Sequence, residues 1–162
     1  MESQDRVLVF LAEFDFQVKQ IREIYTKLQK KLPLIEKQLV AQESVESAGY
    51  WLHNLYSAYE DLFKLVAGFW ENSLSTDGKF HFQLLKRMLL NIKGVRPALL
   101  SEAGYRILNE LRGFRHVFRH AYNYGIDEER VSALLRKILE QKDPVIEDLQ
   151  TFRNTIAGYI EE

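Results

Sequence analysis

The sequence predicts an all-α protein, an up-and-down helical bundle with a long N-terminal helix. Three observations carry this expectation. Only 3 prolines and 8 glycines fall in 162 residues, so long stretches lack the residues that most disfavour helix. Leu, Ile, Glu, Lys, Gln and Arg dominate those stretches and are good helix formers. Apolar residues recur at spacings of three and four rather than two, the period of a helix with one buried face.

The first helix is expected over about Asp5 to Lys31, with an apolar stripe through Val7, Phe10, Phe14, Ile21, Tyr25 and Leu28. Pro33 predicts a break, because proline lacks a backbone donor and crowds the preceding turn. A second, more polar helix spans about Leu34 to Ser47, and Gly49 separates it from a third over about Tyr50 to Asn72. Tyr50, Trp51, Tyr56, Tyr59, Phe63, Phe69 and Trp70 nearly encircle that third helix, which marks it as the central core helix. Ser73 to Lys79 reads as a loop by composition, followed by a short helix over about His81 to Asn91. Lys93 to Pro97 is a connector. Ser101 can cap the next helix, about Glu102 to Tyr122, by accepting from an early backbone N–H. Gly125 supplies a left-handed stop, and Asp127 caps a helix to about Gln141. Asp143 and Pro144 then fit the cap and first position of the last helix. No boundary divides the chain, so residues 1–162 read as one helical domain.

Composition restricts function. There are 22 Lys+Arg against 23 Asp+Glu, which argues against a generic polyanion binder and leaves any nucleic-acid contact to a local patch. No cysteine is present, so thiolate metal sites, thiol nucleophiles and disulfides are excluded. The N-terminus lacks the basic region of a signal peptide, and no stretch approaches the roughly 20 apolar residues of a membrane-spanning helix. A cytoplasmic protein with no membrane association is expected.

The densest chemistry lies between Leu111 and Tyr122. Arg112, Arg115, Arg119, His116, His120 and Tyr122 fall within three turns of one amphipathic helix. At about 100° per residue, Ile107, Leu111, Phe114, Phe118 and Ala121 form its buried stripe. Arg112, Arg115, Arg119 and Tyr122 lie beside that stripe, with His116 and His120 on a third face. Arginine binds phosphate oxygens bidentately and stays charged, and histidine exchanges a proton near neutral pH. Those are the two functions needed to cleave RNA with its own 2′-hydroxyl as nucleophile, a route that needs no metal and no cofactor. Arg115 and His120 are five residues apart, however, and point about 140° away from each other on a straight helix. Either the helix bends or ends near His120, or two subunits of a homodimer build the site together. The competing reading is that charged stripes on helices are ordinarily solvated faces.

Outside this stretch, His53 and His81 are isolated and are set aside. Glu60 could pair with a motif arginine and orient it, or could lie at the edge of the core facing solvent. Trp51 and Trp70 follow the core stripe, and Glu36, Lys37, Glu43 and Glu46 form an ordinary solvated face.

Read as a pattern, Arg115, His120 and Tyr122 spell Arg-x4-His-x-Tyr. This resembles the signature of HEPN-domain proteins of the HepT-like toxin family. Asn109 to His116 and the Gly94 to Pro97 connector also resemble HepT-like sequences, and the similarity covers about Tyr50 to Ile156. Residues 1–48 fall outside the HEPN-like core. The resemblance implies a helical bundle that dimerises and a metal-independent RNase site where two motif helices meet. It implies that Arg115 binds or polarises the scissile phosphate and that His120 is the general acid or base. It also implies that a nucleotidyltransferase-type (MNT) antitoxin attaches AMP to Tyr122 and so blocks the toxin. A bulky anionic adduct there would repel RNA phosphates. Arg112, His116 and Arg119 would assist RNA binding or tune His120.

Two functions follow. One is a metal-independent RNase toxin of a toxin–antitoxin pair. The other is a non-catalytic dimerisation or regulatory module that pairs with a nucleotidyltransferase-like protein. The near-neutral charge favours the second, and the intact Arg, His and Tyr favour the first.

Overall fold

The computed structural model describes residues 2–37, 42–71, 80–120, 125 and 127–161, with the backbone alone at residues 2, 42, 119 and 120. It contains α1 (Glu2–Glu36), α2 (Gln42–Trp70), α3 (Phe80–Arg87), α4 (Glu102–His120), α5 (Glu128–Glu140) and α6 (Lys142–Glu161). Among the described residues there is no strand, only an isolated bridge between Ile92 and Arg96. The protein is an all-α helical bundle.

The apolar stripe of α1 is buried, with Phe10, Phe14, Ile21, Tyr25 and Leu28 inside. Phe10 packs on Phe69 and Trp70 late in α2, at ring-centroid distances of 4.8 and 4.7 Å. Lys27 Nζ lies 3.9 Å from the centroid of Trp51, early in α2. Early α1 therefore meets late α2, and the two helices run antiparallel. The Tyr25 and Tyr59 hydroxyls bond each other at 2.7 Å, which gives two buried phenols a partner. The last helix closes over this pair. Phe152 stacks on Phe14 at 5.7 Å, and the Arg153 guanidinium donates to both oxygens of Asp15 at 3.1 and 3.0 Å.

Two expected breaks are absent. The separate helix over Leu34 to Ser47 does not exist: α1 runs through Pro33 to Glu36, and α2 runs through Gly49 from Gln42. Burial outweighs local propensity in both places. Pro33 falls in the last turn of α1, where buried Ile35 and partly buried Leu32 hold the chain on the core. The Lys37 N–H still reaches the Pro33 carbonyl at 3.1 Å. Gly49 costs a helix about 1 kcal/mol relative to alanine. It lies between Val45, Ala48 and Leu52, all buried, and a fully buried Val or Leu contributes about 1.5–3 kcal/mol. The core-helix expectation for α2 holds along Leu55, Tyr56, Tyr59, Leu62 and Phe63. It fails at Tyr50, which is 52% exposed and packs edge-on against Trp51.

The short helix α3 stops at Arg87, earlier than the expected Asn91. Beyond it the N–H groups of Met88, Leu89 and Leu90 turn back to carbonyls three residues earlier, each at 3.1 Å. Gly94 then takes φ +79°, which reverses the chain and sends Arg96 inward. Arg96 is buried, and each of its five N–H groups has an acceptor. Glu71 takes two of these bonds at 2.7 and 3.3 Å. The Leu90, Pro97 and Arg87 carbonyls take the others at 3.1, 3.1 and 3.2 Å. Arg87 Nε also donates to Glu71 at 3.0 Å. This clasp fixes the end of α2 against α3 and the connector.

Capping is as expected at two helices. Ser101 Oγ accepts from the Gly104 N–H at 3.1 Å, and Asp127 Oδ1 accepts from the N–H groups of Glu129 and Arg130 at 3.0 and 3.4 Å. Gly125 has φ +80°, the left-handed conformation expected of it; residues 121–124 before it lie outside the described residues. At the last helix the expectation shifts: α6 starts at Lys142, so Asp143 and Pro144 lie within its first turn rather than at its cap. A proline is accommodated there because first-turn N–H groups have no helical acceptor.

Candidate functional site

The site is organised by α4. Ile107, Leu108, Leu111 and Phe114 are buried and fix the rotation of the helix. Its start is fixed by Asp148 of α6, whose Oδ2 accepts from the Ser101 hydroxyl and N–H at 2.7 and 2.9 Å. One residue past Phe114, Arg115 is turned about 100° from the core stripe. There it meets α2 and α3.

Arg115 Nη1 lies 3.5 Å from Glu60 Oε1, 2.8 Å from His81 Nδ1 and 3.0 Å from His81 Nε2. His81 Nδ1 is 2.5 Å from Glu60 Oε2. The Glu60 side chain is 4% exposed, Arg115 19% and His81 40%. One buried carboxylate is thus shared by a guanidinium and an imidazole brought from three helices. Nδ1 hydrogen-bonds Glu60, and Arg115 Nη1, close to both ring nitrogens at once, lies over the face of the imidazole rather than on an in-plane lone pair. Burying a carboxylate is costly unless charge-assisted bonds compensate, and these two partners supply them.

Every hydrogen bond of Arg115 among the described residues runs through Nη1, and its buried Nε has none. The protein therefore holds the guanidinium by one nitrogen and leaves the rest of the fork uncommitted. The buried Tyr56 hydroxyl lies in the same field, beside Glu60. Burial pushes its phenol above the ordinary range, and the Glu60 charge pushes it further, with Arg112 and Arg115 opposing.

Arg112 lies one turn earlier on α4. It donates to Asn109 Oδ1 at 3.1 and 3.0 Å, and its guanidinium carbon is 5.2 Å from the Phe82 ring centroid. His116 is exposed on α4. Arg119 and His120 belong to the last turn of α4 by their backbone. Their side chains, and all of Tyr122, lie outside the described residues. The structure therefore gathers Arg112 and Arg115 on the side of α4 that meets α3, and adds two residues from other helices.

Of those two, Glu60 was a sequence candidate, and its pairing with a motif arginine is observed. The expectation that it could face solvent is overturned, because α3 and α4 cover it. His81 was set aside as isolated. It is isolated only in sequence: α3 folds it onto Glu60, 21 residues earlier, and Arg115, 34 residues later. No local pattern marks such a contact. His53, also set aside, stacks on Phe118 at 5.4 Å between centroids.

The groove on another side of α4, about 360 Å³, is lined by Glu110, Gly113, Phe114, Arg130, Leu134 and Lys137. Lys137 donates to Glu110 there at 3.2 Å, and Arg130 adds a second cation. Among the described residues, no three His, Cys, Asp or Glu side chains cluster as a metal site would need. No described helix is long and apolar enough to cross a membrane.

The chain is an all-helical bundle in which an arginine, a histidine and a buried glutamate from three helices meet. The family model described as HepT-like protein matches residues 47–156, about two thirds of the chain, and the protein belongs to that family. The match begins near the start of α2 and leaves α1 outside, close to the extent expected from sequence. No curated protein and no solved structure matches the chain.

Proposed function

We propose that this protein is a metal-independent ribonuclease toxin of a toxin–antitoxin pair, with its site formed where the motif helices of two protomers meet. Family membership supports the class. The observation that carries the chemistry is the hold on Arg115: Nη1 is fixed by Glu60 and His81, and Nη2 carries no hydrogen bond among the described residues and is left for a phosphate. Guanidinium groups bind phosphate oxygens in pairs and stabilise the extra charge of a phosphorane-like transition state.

His120 removes the proton from the RNA 2′-hydroxyl. The 2′-oxygen then bonds to phosphorus, and the bond from phosphorus to the 5′-oxygen breaks. That oxygen takes a proton, leaving a 2′,3′-cyclic phosphate and a 5′-hydroxyl. Arg115 and His120 diverge by about 140° on one straight helix, so Arg115 of one protomer serves His120 of the other. Arg112, His116 and Arg119 assist RNA binding. A nucleotidyltransferase-type antitoxin silences the site by attaching AMP to Tyr122, which adds bulk and negative charge where RNA phosphates must approach.

The near-neutral net charge of −1 favours a second reading, a non-catalytic module bound to such a partner. Incubation of purified protein with single-stranded RNA in EDTA separates the two. A ribonuclease cleaves there, and His120→Ala abolishes cleavage while the circular dichroism spectrum is unchanged. Intact RNA after incubation with wild-type protein favours the module.

A further inference from the structure

We infer that His81 is a positioning residue of this site, acting through Arg115; the inference rests on the ribonuclease reading above. Three observations converge on it. His81 touches the motif arginine through both ring nitrogens, at 2.8 and 3.0 Å. It also shares with that arginine the one buried carboxylate of the pocket, Glu60. And its helix is anchored independently of it. Leu84 and Leu85 are buried, and at the far end of α3 Arg87 donates to Glu71, which also holds Arg96.

The third observation separates positioning from simple structure. The junction of α2 and α3 does not depend on His81, because the Glu71 clasp and two leucines already make it. What His81 adds is a second contact on Arg115: its ring, fixed by the bond to Glu60, lies face-on against Nη1 and limits where the guanidinium can turn. Nη2 carries no hydrogen bond among the described residues and is left for phosphate. Glu60 alone holds Arg115 loosely, since their separation is 3.5 Å.

The test is RNA cleavage in EDTA by wild type, His81→Ala and His81→Gln. Glutamine keeps a donor for Glu60 and a planar amide to lie against Arg115. Loss of positioning predicts that His81→Ala lowers kcat about 10- to 100-fold with KM within about threefold, and that His81→Gln recovers much of that kcat. A wild-type enzyme that cleaves RNA, with His81→Ala equal to it in kcat, overturns the inference and leaves the ribonuclease reading standing. If His81→Ala does not fold, His81→Leu, which keeps the bulk but not the bond to Glu60, decides, and a kcat equal to that of wild type is the contrary result. A wild-type protein that cleaves no RNA overturns both.

Discussion

Arg115 of α4 and Glu60 of α2 face each other across the bundle, Nη1 to Oε1 at 3.5 Å, with the carboxylate almost wholly buried. Removing the arginine leaves that carboxylate with His81 alone. Arg115→Ala is expected to lower stability by about 1–3 kcal/mol, less than for a fully sequestered pair because Arg115 is partly exposed. Adding Glu60→Gln to Arg115→Ala should restore part of the loss, since no uncompensated charge then remains. Urea denaturation of the two single variants and the double variant measures the coupling. Strict additivity is the contrary result.

Arg96 is the stronger structural ion pair. All five of its N–H groups are bonded inside the protein, and Glu71 takes two of them. Arg96→Ala is expected to cost about 3–5 kcal/mol, as loss of one partner of a buried pair does. Arg96→Lys recovers little, because an ammonium on a flexible stem cannot reproduce a planar five-donor fork. Thermal unfolding of both variants tests this. A lysine variant as stable as wild type would contradict the clasp.

Gly104 is required by contact rather than by backbone conformation. A Cβ built there meets Asp148 Oδ2, the atom that holds Ser101 at the start of α4. Gly104→Ala should therefore destabilise by about 1–3 kcal/mol, although alanine is the better helix former. In an Asp148→Ala background the same substitution becomes neutral or stabilising. A denaturation cycle over the four proteins reads the sign change.

The Tyr25 and Tyr59 pair sets an alkaline limit. Burial pushes both phenols above their ordinary value of 10.0. A group with a raised folded-state pKa adds stability that is complete below the unfolded value and is lost as pH climbs toward the folded one. Stability should therefore be level through neutral pH and fall above about pH 10. The double variant Tyr25→Phe with Tyr59→Phe should show a smaller fall. Guanidinium denaturation between pH 8 and 11.5 is the measurement, and equal slopes for the two proteins are the contrary outcome.

What the sequence revealed depended on how local the cause was. The stripe of α1, the caps at Ser101 and Asp127 and the buried side of α4 from Ile107 to Phe114 rest on spacing and residue type within a turn or two and were legible; Phe118 is only partly buried, and Ala121 lies outside the described residues. Pro33 and Gly49 were misread because each is a local breaker outweighed by distant partners, the core contacts of Ile35, Ala48 and Leu52. Glu60 was half legible. It adjoins the buried Tyr59 on one side and the exposed Asp61 on the other, and only the arrival of α4 decides which neighbour it follows. His81 and Arg96 were not legible at all. Their charged partners, Glu60 and Arg115 for His81 and Glu71 for Arg96, lie on other elements, and a helix period carries no information about them. For Arg115, the spacing to His120 gave only their divergence on one straight helix. It did not show that α2 and α3 would supply Glu60 and His81.

The most direct measurement is RNA cleavage in EDTA by an equimolar mixture of Arg115→Ala and His120→Ala proteins, refolded together and compared with wild type and with each variant alone. A site shared between protomers predicts that wild type cleaves and that neither variant does. Random pairing makes half the dimers mixed, each with one intact composite site of two, so the mixture should recover about a quarter of the wild-type rate. An inactive wild-type protein contradicts the ribonuclease assignment, and an active wild type with no recovery in the mixture contradicts the shared site.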